Sequence, residues 1–200
     1  GNAYAGSDTI VYIIDNTAPT QTVSSVSLSA DTGTSSTDEI TKTASQTISG
    51  TLSGALASGD ILYGSVNNGS SWTDITSKVS SDTAISWNGA TLSGSDNIVF
   101  KITDAAGNDS STTGSTAYVL DTTAPTLTVS SVSLSADTGT SSTDEITKTA
   151  SQTISGTLSG ALASGDILYG SVNNGSSWTD ITSKVSSDTA ISWNGATLSG

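Results

Sequence analysis

The chain contains no cysteine, histidine or methionine, and its few basic residues are all lysine. Without cysteine there are no disulfides and no thiolate metal sites to hold a core together. With histidine and methionine also missing, transition metals lose their usual ligands, and only hard oxygen donors remain. Nucleophile activation is reduced to a Ser–Lys pair or to carboxylates alone. Lys42, Lys78 and Lys101 occur in strand or loop settings with no accompanying motif, so no catalytic constellation emerges and the chain reads as non-enzymatic. Positive charge is scarce: 5 basic residues stand against 18 acidic ones, a net charge of -13. Such a surface repels nucleic acid and anionic membranes and attracts divalent cations. No stretch approaches the roughly 20 apolar residues of a membrane span, and no signal peptide is evident. The expectation is therefore no nucleic-acid partner and no membrane insertion.

What is present is repetition. Residues 22–94 recur letter for letter as residues 128–200, an offset of 128 − 22 = 106 residues. The flanks keep the same offset: Tyr12 maps onto Tyr118, Asp15 onto Asp121, and Ala18-Pro19 onto Ala124-Pro125. A unit of this length suits an immunoglobulin-type sandwich of roughly 100 residues, whereas helical and leucine-rich repeats are far shorter. The frame gives three pieces: 1–15 as the last strand of a preceding repeat, 16–121 as a complete repeat, and 122–200 as a second repeat. The second lacks the equivalent of Ser95 to Ala106 and with it a core strand. The window then reads as an excerpt of a longer array, or as a subunit whose gap another chain fills.

Apolar residues make up 34% of the chain, with 20 glycines besides, enough for a thin core. They fall at strand spacing. Val23 to Ala30 alternates Val26 and Leu28 with serines; Gln46 to Ser53, Asp60 to Val66 and Ser71 to Thr76 follow. Thr83 to Trp87 and Ala90 to Leu92 supply two more short strands. Asn97 to Asp104 has the cleanest period of two, with Ile98, Phe100 and Ile102 on one face. Ser115 to Asp121 closes the unit with Tyr118 and Leu120 inward. About seven short strands bounded by Gly, Asn, Asp and Ser clusters predict an all-β fold of tandem immunoglobulin-like antiparallel sandwiches.

Lys101-Ile-Thr-Asp-Ala-Ala-Gly-Asn108 followed by Tyr118-Val-Leu-Asp-Thr-Thr-Ala-Pro125 resembles the last-strand signature of bacterial Ig-like repeats in giant adhesins and biofilm-associated surface proteins. Asp31-Thr-Gly-Thr-Ser-Ser-Thr-Asp-Glu-Ile40 resembles their acidic loop between the first two strands. The resemblance implies a secreted, cell-surface repeat that projects a terminal binding module, often stiffened by calcium at domain junctions. It implies that the receptor of the whole adhesin is bound by other modules.

Strand order alone also gathers the acids. Successive strands of such a sandwich run pole to pole, so Asp31, Asp38, Glu39 and Asp121 fall at one end, and Asp104, Asn108 and Asp109 at the other. The second repeat places Asp137, Asp144 and Glu145 likewise, and Asp15 meets the Asp104 loop. Carboxylates crowded at a junction repel by on the order of a few kcal/mol unless a cation sits among them. Ca2+ accepts six to eight irregular oxygen ligands, including loop carbonyls. The alternative is that these acids cap turns and keep the surface soluble. Ser65 to Trp72 resembles the Asp-box hairpin, with Asn67 in the Asp position, and is expected to turn at Asn68-Gly69 and fold Trp72 back onto the strands. Sugar stacking on Trp72 or Trp87 is the competing reading.

The expected function is an extender repeat of a secreted or cell-surface bacterial adhesin, with neighbouring identical repeats as its partners and structural Ca2+ as its ion. Two other classes stay open: a filament subunit completed by a donated strand, such as Ser7 to Asp15, and a carbohydrate- or ice-binding module.

Overall fold

A computed structural model describes residues 10–33 and 35–199. The chain is all-β, and its contacts divide it into two units, Gly1–Thr122 and Thr123–Gly200. In the first unit the strands are β1 (Val23–Leu28), β2 (Ile40–Thr41), β3 (Ser45–Leu52), β4 (Ile61–Ser65), β5 (Thr73–Asp74), β6 (Val79–Ser80), β7 (Ala84–Thr91), β8 (Ser95–Thr103) and β9 (Thr113–Leu120). They form two sheets, ordered β1-β3-β7-β6 and β2-β9-β8-β4-β5. With β1, β3, β4, β6, β7, β8 and β9 lettered A to G, the orders become A-B-E-D and G-F-C, the strand order of an immunoglobulin-type sandwich. All pairings in this unit are antiparallel except that of β2 with β9, which sets Ile40 beside Val119 and Thr41 beside Leu120.

Two departures from strict alternation decide what faces the core. Val23 and Leu28 lie five residues apart, so a regular strand would point them to opposite faces. Both are buried. A bulge between Ser24 and Ser27, with Ser25 at φ 52°, supplies the extra residue that brings them to one side. In β7 the buried set switches parity from Ile85 and Trp87 to Ala90, and the register against β3 shifts at Gly89, whose φ is +80°. The sequence suggested two short strands here; one bulged strand takes their place, because a glycine in the left-handed region lets the ladder continue past the extra residue.

The sheets close on Trp87, Phe100, Ile48, Leu62, Ile75, Ile98 and Ile102, all within the buried core. The Trp87 and Phe100 rings meet edge to face, with centroids 6.4 Å apart and planes at 73°. Gly64 on β4 lies directly beneath the Trp87 ring, where a β-carbon would come within 2.6 Å of it.

The second unit contains β10 (Val129–Leu134), β11 (Ser151–Leu158), β12 (Tyr169–Gly170), β13 (Thr179–Asp180), β14 (Val185–Ser186) and β15 (Ala190–Thr197). Its sheet β10-β11-β15-β14 repeats the first sheet of the other unit, bulges included. The second sheet is reduced to the pair β12-β13. Its buried apolar cluster is correspondingly small: Leu158, Ile181 and Ile191.

The segment expected to close a preceding repeat is described only from Ile10. Residues 10–22 form no strand, and Ile10 to Ile14 are exposed. The rest of that segment, with Ser7, lies outside the described residues.

Gly64→Ala is expected to destabilise the first unit by about 1–3 kcal/mol, because the Trp87 ring has no room to retreat in a filled core. Gly54→Ala, with nothing within 4 Å of the new methyl, should stay within about 0.5 kcal/mol of the parent. Urea denaturation of the two variants checks this.

Candidate functional site

The loop between β1 and β2 is built around its own polar groups. One Asp31 carboxylate oxygen, Oδ2, accepts the backbone N–H of Asp38 and of Glu39, each at 3.1 Å. Asp38 Oδ1 accepts the Ile40 N–H at 3.2 Å, a local Asx-type turn. Glu39 adopts φ 58° and turns its carboxylate back to accept the Leu28 N–H at 2.9 Å. Three acids therefore spend oxygens on ordering one loop. The other Asp31 oxygen, Oδ1, is buried and has no hydrogen-bond partner among the described residues. Burial pushes the Glu39 carboxyl above its ordinary value, opposed by the bond from Leu28 and aided by the negative charges of Asp31 and Asp38.

Beneath the acids lies a buried amide that the sequence reading did not single out. Gln46, on β3, accepts from the Ser29 hydroxyl at 3.1 Å and the Ala30 N–H at 3.0 Å. Its Nε2 donates to the carbonyls of Ala30 at 3.1 Å and Thr43 at 2.7 Å. The buried Thr41 hydroxyl donates to Ala30 O at 2.6 Å. Loop backbone that leaves a ladder must find partners elsewhere, and this amide supplies them from the sheet itself.

The same arrangement recurs in the second unit. Asp137 Oδ2 accepts from Asp144 and Glu145 at 3.2 Å, and Glu145 accepts the Leu134 N–H at 3.0 Å. Gln152 repeats the contacts of Gln46. Asp137 Oδ1 is again buried without a hydrogen-bond partner among the described residues.

Asp121 follows β9 and donates its N–H to Thr41 O at 2.9 Å, so it lies at the pole of the Asp31 loop, as strand order demands. At the opposite end Asp104 caps its own turn. It accepts the N–H groups of Ala106 and Asn108 and the Asn108 side-chain amide, at 2.8–2.9 Å. The Asn108 bonds hold the Asp104 carboxyl below its ordinary value. Asp109 pairs with Lys101 at 2.8 Å and accepts the Thr103 hydroxyl; the Lys101 bond is the main cause of its lowered pKa. Asp15 does reach this loop, but through its backbone: its carbonyl accepts from Asn108 Nδ2 at 3.1 Å, while its carboxylate caps Thr17. Among the described residues no group of three or more His, Cys, Asp or Glu is placed to hold a metal ion. For Asp104, Asn108 and Asp109, turn chemistry accounts for the side chains present. At the other loop, the orphaned Asp31 and Asp137 oxygens suit one hard cation ligand each, and a larger share of any coordination would have to come from carbonyls or water.

The Asp-box-like hairpin turns at Asn68 (φ 51°) and Gly69 (φ +85°). Asn67 Oδ1 accepts from the Ser65 hydroxyl and the Ser71 N–H, both at 2.8 Å. The amide thus does the locking that the motif assigns to Asp. Trp72 packs over Gly69 and lies under the Lys101 ammonium, 5.2 Å from its ring centroid. Trp87 is in the core. Trp72 itself is half-buried.

No family model, curated protein or solved structure matches this chain.

Two outcomes follow. Gln46→Ala should cost about 1–3 kcal/mol in urea denaturation, since it removes the partners of the Thr43 carbonyl and the Ala30 N–H at once and leaves Ala30 O to Thr41 alone. Glu39→Gln keeps an acceptor for Leu28 and removes the charge. Because the Glu39 pKa is raised on folding, its favourable contribution is complete below its ordinary value of 4.5 and is lost as pH rises through the folded pKa. In chelator, the stability of Glu39→Gln relative to the parent should therefore grow from about pH 4 towards neutrality.

Proposed function

We propose that this chain is a structural extender of a secreted or cell-surface bacterial adhesin, supporting cell adhesion and biofilm formation and stiffened by Ca2+. The observation that favours it is the exact duplication of an acidic loop that leaves one buried carboxylate oxygen unpartnered in each copy. Duplicated sandwich sequence suits a part whose job is length, since the stability of such arrays is a sum of unit terms and nearest-neighbour terms. The described residues include no helix long and apolar enough to cross a membrane, and the net charge of -13 suits an acidic, hydrated surface in a calcium-rich medium.

In this reading the cation is held by Asp31 Oδ1 in one unit and by Asp137 Oδ1 in the other, with further oxygens from the loops around them. Ca2+ offsets the desolvation of Asp31 and the repulsion among Asp31, Asp38 and Glu39, so it binds the ordered loop in preference to the unfolded one. The ligand of the complete adhesin belongs to other modules.

Millimolar Ca2+ should stabilise the 200-residue chain by at least about 1 kcal/mol, or roughly 4–8 °C in Tm for units of this size, relative to chelator. Asp31→Asn together with Asp137→Asn should remove the increment. Scattering at the two conditions should show a longer, less variable particle with the ion. Unchanged melting and dimensions would leave a plain spacer without an ion.

A further inference from the structure

In the first unit β1 is the outer strand of its sheet, and β9 carries on its outer side only the two residues of β2. The Ser29 N–H donates inwards to Thr47 O, so by alternation the Leu28 N–H points away from β3. A bare row of such groups is a template for another strand. Here side chains take them: the Val23 N–H donates to Thr113 Oγ1 at 3.1 Å and the Leu28 N–H to Glu39 Oε2 at 2.9 Å.

Glu39 also holds the other sheet. Its backbone carbonyl accepts the Val119 N–H of β9 at 3.1 Å, so one residue clasps the edge strands of both sheets. Asp31 Oδ2 fixes it there by accepting the Asp38 and Glu39 N–H groups. The φ of 58° at Glu39 lies in a region that glutamate rarely adopts. Its contacts, rather than its neighbours in sequence, therefore hold that conformation. Glu145 repeats the bond to the Leu134 N–H at 3.0 Å, with φ 56°.

The covered edge is one that would pair readily. Residues 21–30 carry no charge, no proline and no glycine, which is the composition of a segment that adds to other strands when bare. The bulge at Ser25 and the Thr113 hydroxyl blunt its first half. Its second half, around Leu28, is guarded by Glu39. The partner that fits this half is its own twin, because two copies related by a two-fold axis present the same N–H and carbonyl groups to each other in antiparallel order. A chain that carries the strand twice, as 23–28 and 129–134, meets that partner wherever two copies approach.

We propose that the second half of the β1 edge is a latent pairing surface for the same edge of a second copy, and that Glu39 keeps it closed. Loss of the clasp bares the Leu28 N–H and lets β1 add to β1 of a neighbour through main-chain bonds. This goes beyond the extender reading and does not use its ion.

Hydrogen exchange of the 200-residue chain in chelator, followed residue by residue by NMR, reads the Leu28 amide directly. Glu39→Ala in the first unit alone should speed its exchange by about 10-fold or more in dilute solution, since a bond to a charged acceptor is lost. Protection should return by mass action as the protein is raised to about 1 mM. Glu39→Gln, which keeps the acceptor, should behave as the parent. Glu39→Ala with Ser27→Lys should stay unprotected at both concentrations, because the added charges repel across the paired edges. The Ile48 and Trp87 amides, inside the β3–β7 ladder, report that the fold is kept. Where alanine disturbs them, Glu39→Asp, one methylene short of Leu28, takes its place with the same expected result. A Leu28 amide that stays protected in the dilute variant overturns the clasp. Protection that does not return on concentration, or that returns equally with Ser27→Lys, overturns the pairing surface.

Discussion

The contact on which the sandwich depends is the seating of Trp87 from one sheet on the bare backbone of Gly64 in the other, against the edge of Phe100. It fixes three things at once. The spacing of the sheets is set by a ring lying where any β-carbon would collide. The register of β4 against β8 follows, because Gly64 must stand opposite Phe100. The identity of the last strands matters too, since Gly114 lets β9 approach Phe100 so closely that a β-carbon would come within 2.9 Å. A chain with no disulfide and one phenylalanine concentrates its closure in a few large side chains, and their fit is correspondingly tight.

The second unit shows how much of that closure comes from β8 and β9. The same tryptophan sits over the same glycine, with Gly170 replacing Gly64 at the same 2.6 Å. The first sheet, its bulges and its acidic loop are all reproduced. What differs is the second sheet: among the described residues β8, β9 and β2 have no counterpart strands, β4 shrinks to the two residues of β12, and the apolar residues beneath are less covered. Local structure in this protein therefore forms from the 22–94 sequence, while burial requires the strands that follow it. That is the expected division when short-range hydrogen bonding and long-range packing are contributed by separate segments.

The acidic loop obeys a different constraint. A stretch of serine, threonine and aspartate has little apolar area to bury, so its conformation rests on hydrogen bonds, and each buried polar group must be matched. Gln46 and Thr41 supply most of the matching from below, and Asp31, Asp38 and Glu39 complete it from within the loop. The unmatched Asp31 oxygen is the exception. It concentrates negative charge beside a partly buried Glu39 whose carboxyl is already raised, which is the electrostatic basis for reading the loop as a place for a hard cation. The acids of the opposite pole differ in kind, because Asn108 and Lys101 satisfy them locally.

The sequence by itself determined the all-β class, the 106-residue period, the strand cores around Ile48, Phe100 and Tyr118, and the turn at Asn68-Gly69. Each of these follows from neighbours in the chain: alternation, turn chemistry, or literal repetition. The bulges at Ser25 and Gly89 were not legible, because Ser25 differs in nothing local from the serines beside it and only the partner strand shows which residue is extra. The two-residue strand β2 and the role of Gln46 escaped for the same reason, as both exist through residues distant in sequence. Strand order assigns Asp31, Asp38, Glu39 and Asp121 to one pole and Asp104, Asn108 and Asp109 to the other. Which carboxylate oxygens bond to backbone and which one stays bare was decided by the tertiary structure alone, because hydrogen bonds of two or three ångströms depend on positions that no periodicity fixes.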